Sequence, residues 1–77
     1  MTNKYAEALA AFLKSSGLSQ AKFARSVGCS QPTIFHYTTG GRFPAKETAR
    51  RIELASDGRV PIALWQMTAV ERAGIYT

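Results

Sequence analysis

The chain has 77 residues, 45% of them hydrophobic and 19% charged, with a formal net charge of +5. That length fits one domain, 1–77, and the single cysteine, Cys29, excludes a disulfide framework. No stretch approaches the roughly 20 apolar residues of a membrane span, and nothing at the N-terminus resembles a signal peptide, so a soluble, cytoplasmic protein is expected.

Residues 4–15 place Tyr5, Leu9, Phe12 and Leu13 on one helical stripe, with Gly17 as the stop. Ser19 reads as the N-cap of a second helix over 20–26, and Leu18 and Phe23 have the spacing of a hydrophobic staple. Gly28 ends it, because glycine takes positive φ without steric cost. Ser30 caps a third helix running to about Thr38, with Pro32 in the first turn, where its missing N–H would be unbonded anyway. Gly40-Gly41 stops it.

Pro44 precedes a fourth helix within AKETARRIELAS, whose Ala49, Ile52, Leu54 and Ala55 are set for burial. After an Asp57-Gly58 turn, RVPIALWQM is either a strand through Val60 followed by a short helix from Pro61, or an extended hairpin arm. The exclusion of proline from strand interiors favours the helix. The closing ERAGIYT has no clear period and is expected to fray.

Only VGCS separates helices two and three, a connection that forces a steep crossing, the helix-turn-helix geometry, over about 19–39. The small Ala24 permits the close approach, and Val27, Ile34 and Tyr37 fill the wedge between the two helices and the first. Charge adds to this reading. No acidic residue occurs from Ala8 to Lys46, a block that holds Lys14, Lys22, Arg25, Arg42 and Lys46, whereas residues 1–7 and 47–77 are each balanced. An ordinary solubilising surface mixes both signs; a contiguous positive block makes a directed field.

Lys22 stands where a capping box would place Glu or Gln, opposing the helix dipole at a cost of a few tenths of a kcal/mol, ~0.3. Two helix N-termini without local carboxylates are sites for an anion such as phosphate, with Gln20, Lys22 and Arg42 as accompanying donors. Taking Ile34 as the buried direction, Pro32, Thr33, Phe35 and His36 fall on the outer arc of helix three and Gln31 projects from its first turn. Amide, hydroxyl, imidazole and apolar edges without a carboxylate suit base edges in a major groove.

The segment SQAKFARSVGCSQPTIFHY, with Gln20, Ala24, Gly28, Ile34 and Tyr37, resembles the helix-turn-helix of phage Cro and repressor proteins. GGRFPAKETARRIELASDGRV looks like the continuation in small Cro-like regulators, including the YdaS-type proteins often described as antitoxins. The resemblance spans roughly residues 7–65. It implies an all-α, five-helix lambda-repressor-like domain, a bacterial or prophage source, Gln20 on phosphate, Gln31, Pro32 and His36 facing bases, and a Gly40–Arg42 loop along the DNA backbone. Pro32, which cannot hydrogen-bond a base, and Phe35, where a small polar residue is commoner, depart from the pattern. The expected base contacts are therefore Gln31, Pro32, Thr33, Phe35 and His36. The expected phosphate contacts are Gln20, Lys22, Ser30, Thr39, Gly41, Arg42 and Lys46.

Competing readings are plainer. His36 and Cys29 lack the partners of a metal or catalytic site, so no enzyme activity, metal or cofactor is expected. Cys29 reads as a small buried hydrophobe, Phe35 as a residue that packs on a partner or a loop instead of DNA, and Arg50 and Arg51 as solvated charges. The apolar Val60, Ile62, Leu64, Trp65 and Met67 exceed what a small core needs. Some cap the core; the rest would form a two-fold dimer interface in 60–77, anchored by Trp65. Small domains hide only ~60% of their unfolded surface, so self-association would add needed stability. Two functions follow: a dimeric, sequence-specific operator-DNA-binding repressor, or an antitoxin-type module that holds a toxin and binds DNA secondarily.

Overall fold

A computed structural model describes residues 3–74. The helices are α1 (Lys4–Ser16), α2 (Gln20–Val27), α3 (Gln31–Thr39), α4 (Lys46–Ala55) and α5 (Ile62–Ala73), with no strand among the described residues. The protein is thus all-α with five helices, as expected for a Cro/lambda-repressor-like fold.

The local signals act where the sequence placed them. Asn3 caps α1 by accepting from the Ala6 amide at 2.8 Å, a cap not among the expected ones, and Gly17 closes it at φ 74°. Tyr5, Leu9, Phe12 and Leu13 of α1 meet Phe23, Ala24 and Val27 of α2, Ile34 of α3, Ala49 and Ile52 of α4, and Val60 in one core. α3 packs on α1 and α2, while α4 joins α2 to α5 and α5 returns to α1.

Several expectations are corrected in the C-terminal half. Leu54 is 81% exposed: it lies two residues, about 200° of helix, from the fully buried Ile52, and one helix cannot bury both. After Asp57-Gly58 the expected helix is present but the strand through Val60 is not, α5 runs from Ile62 to Ala73 instead of being short, and Glu71–Ala73 are helical instead of frayed. Residues 75–77 of the tail expected to fray lie outside the described residues. α5 begins cleanly because Pro61 stands at its N-cap and the Ile62 amide donates to Glu53 Oε2 at 3.2 Å. The preceding turn is tied by buried Ser56, whose hydroxyl donates to the Glu53 carbonyl and accepts from the Val60 amide.

Candidate nucleic-acid interface

The α2–α3 corner is built from caps and one glycine. Ser19 Oγ accepts from the Lys22 amide at 3.1 Å and Ser30 Oγ from the Thr33 amide at 3.3 Å, so each helix starts where its serine satisfies an orphan donor. Between them, Gly28 adopts φ 84°, and the amides of Gly28 and Cys29 both donate to the Ala24 carbonyl, at 2.8 and 2.9 Å. Ala24 is buried at this crossing; a larger side chain would hold the helices apart.

α3 commits little of itself to the core. Ile34 is its one fully buried side chain and Tyr37 is half-buried, which leaves Gln31, Pro32, Phe35, His36 and Thr39 exposed. Phe35 is 47% exposed and meets the His36 ring edge-on, with centroids 5.7 Å apart. Thr33 is half-buried, and its hydroxyl bonds the Ser30 hydroxyl at 2.8 Å, so these two polar groups engage each other.

Gln31 Nε2 donates to Gln20 Oε1 at 2.7 Å. Each glutamine is the first residue of its helix, so the bond ties together the starts of α2 and α3. From sequence the two residues carry separate tasks, Gln20 on phosphate and Gln31 on a base, with no pairing expected between them. The available signal was a glutamine immediately after each capping serine.

Neither α2 nor α3 has an acidic residue in its first turn, and Lys22, Arg42 and Lys46 are exposed. Carboxylate-free helix starts favour anions, and exposed cations add to the attraction. Beyond α3 the chain folds back on itself: Thr39 Oγ1 donates to the His36 carbonyl and accepts from the Gly41 amide at 3.3 Å, and the Arg42 amide donates to the His36 carbonyl at 3.2 Å. The Thr39 hydroxyl and the Gly41 amide are therefore engaged within the loop, while the Arg42 side chain extends into solvent. Arg51, read as merely solvated, reaches Glu47 at 3.4 Å, and Arg50 is exposed. Cys29 is half-buried, and burial pushes its thiol upward from the ordinary value. No group of three or more His, Cys, Asp and Glu among the described residues is placed to hold a metal ion.

The five residues expected at a dimer interface divide sharply. Val60 has no exposed surface and is a core residue, which corrects its assignment to an interface. Ile62, Leu64 and Trp65 lean on the core, whereas Met67 is 58% exposed. Val70 lies three residues beyond Met67 and is also exposed, and Ala63 completes the same stripe. Trp65 faces inward instead: its indole N–H donates to the Pro44 carbonyl at 2.8 Å and its ring stacks on Phe43. No helix of the described residues is long and apolar enough to cross a membrane.

A model of the helix-turn-helix family matches residues 9–55, more than half of the chain and all of α2 and α3. No curated protein and no solved structure matches. The chain belongs to the helix-turn-helix family, in its Cro/C1-type branch, a membership that implies binding to double-stranded DNA.

Proposed function

We propose that this helix-turn-helix protein is a Cro-like transcriptional repressor that reads operator half-sites with α3. The observation that carries the reading is the Gln31–Gln20 bond at 2.7 Å. It uses one N–H of Gln31 and one lone pair of Gln20. Gln31 keeps its own carbonyl and second N–H for a base edge, and Gln20 keeps its amide donors for a phosphate. The remaining exposed arc, Pro32, Phe35 and His36, offers apolar and imidazole edges to the same groove. Lys22, Arg42 and Lys46 supply cations to the flanking phosphates. Ser30, Thr33, Thr39 and Gly41 act first as internal ties that shape α3 and its loop.

A two-fold dimer fits this reading, since two reading helices must be spaced one DNA turn apart. The exposed Ala63, Met67 and Val70 stripe of α5 is the apolar surface available to it. The same exposed apolar side chains favour the second reading, an antitoxin-type module whose α5 holds a toxin. Selection of bound duplexes from a random pool tests the first reading. A recovered half-site motif supports it, and no enrichment favours the second.

A further inference from the structure

The loop from Gly40 to Ala45 is short, contains the exposed candidate phosphate donor Arg42 and leads directly into a second, Lys46. Its centre is held unusually firmly. The Phe43 ring stacks on Trp65 with centroids 5.6 Å apart and an interplanar angle of 16°. It also meets Tyr5 of α1 edge-on at 5.7 Å and lies under the Arg72 guanidinium at 4.6 Å. One residue on, Pro44 is buried and its carbonyl accepts the Trp65 indole N–H at 2.8 Å. The far side of the loop is tied to α3 through the Arg42 amide on the His36 carbonyl. Thus α1 and α5, which lie outside the α2–α3 corner, fix Phe43 and Pro44, two of the three residues between the candidate donors.

We infer that Trp65, Phe43 and Arg72 are positioning residues that hold the Gly40–Ala45 loop so that Arg42 and Lys46 meet the DNA backbone in register with α3. This rests on the DNA reading above and assigns α5 a part in it. The physical reason is entropy. A free loop must be ordered when it binds, and fixing each backbone residue opposes binding; the aromatic stack and the indole bond do that ordering in the folded protein beforehand. Trp65 serves here through contacts inside the protomer, not as a dimer anchor. The ring stack and the cation over Phe43 contribute beyond the area they bury. The indole N–H is the one polar tie from α5 to the loop among the described residues' bonds.

The test is a salt titration of duplex binding by the full chain and three variants, each held well below its own melting temperature. Trp65→Phe keeps an aromatic ring but removes the N–H, and Phe43→Leu keeps an apolar side chain but removes the stack. Leu13→Val, in the α1 core and away from the loop, controls for loss of stability alone. Wild type should show log K falling with log [salt] with slope about −4 to −7, for ~4–8 neutralised phosphates per dimer. Phe43→Leu should bind operator and scrambled duplexes about tenfold more weakly, with a slope shallower by about 1 per subunit and an unchanged preference between them. Trp65→Phe should move the same way by less, and Leu13→Val should leave the slope unaltered. Wild-type slope and affinity in both loop variants would overturn the inference while leaving DNA binding intact. A wild type whose binding ignores salt would overturn the DNA reading itself, and this inference with it.

Discussion

Gln31 Nε2 and Gln20 Oε1 lie 2.7 Å apart across eleven residues of chain, so the first residues of the two corner helices form one polar unit. If that unit meets DNA as a whole, the two side chains are energetically coupled. Gln20→Ala and Gln31→Ala should each weaken operator binding, and the double variant should lose less than the sum. A coupling of about 0.5–1.5 kcal/mol is expected. Strict additivity in the cycle would mean that the bond is incidental to recognition.

The corner itself can be tested through stability. Ala24→Leu should overpack the α2–α3 crossing at a cost of about 1–3 kcal/mol. Gly28→Ala should cost about 1–2 kcal/mol through backbone strain alone. At Gly28 φ is +84° and an added Cβ would meet only the Arg51 Nη1 atom at 3.5 Å, an ordinary contact. Each kcal/mol lowers the melting temperature of a domain this size by about 4–8 °C. Unchanged melting in both variants would show that the close crossing does not exist.

Much of this corner was legible because its signals are local. Ser19, Ser30, Pro32 and Gly28 act on backbone groups within four residues of themselves, and their effect on a helix end needs no knowledge of the rest of the fold. The outer arc of α3 was legible for the same reason at Gln31, Pro32, Phe35 and His36, since Ile34 sets the buried direction, whereas Thr33 is half-buried against the Ser30 cap. What could not be read depends on tertiary choice. Ile52 and Leu54 both look apolar on paper, but only packing against α2 and α5 decides which turns inward. Phe43 sits in a glycine- and proline-rich loop, and nothing local announces that Tyr5, Trp65 and Arg72 converge on it. Trp65 reads from sequence as a partner's anchor because tryptophan dominates interface hot spots, and nothing local points to its target in the Pro44 carbonyl.

The Tyr5 hydroxyl is buried without a hydrogen-bond partner, an arrangement that costs stability. Tyr5→Phe should therefore leave stability at neutral pH unchanged or slightly increased. Burial, reinforced by Tyr37 and Glu53, also holds the Tyr5 hydroxyl protonated well above its ordinary value of 10.0. Burial likewise raises the Tyr37 hydroxyl and the Cys29 thiol, from ordinary values of 10.0 and 9.0. A raised folded-state value means the unfolded chain loses its proton first as pH rises, so the folded state becomes relatively less stable. Stability should be full below pH 9 and decline above it, steepening past 10. Denaturant melts from pH 7 upward check this. Tyr5→Phe should flatten the decline above pH 10, and an undiminished decline would show that Tyr5 does not carry it.

Selection of bound duplexes from a random pool, with wild type and Gln31→Ala run side by side, shows whether α3 reads base sequence. Gln31 is exposed and sits at the first position of α3, so the substitution should leave the fold intact. Wild type should enrich a defined half-site. Gln31→Ala should enrich the same half-site with preference relaxed at one base pair, by about 1–3 kcal/mol of discrimination. An identical motif from both proteins, or no enrichment by wild type, would contradict the assignment of α3 as the reading helix.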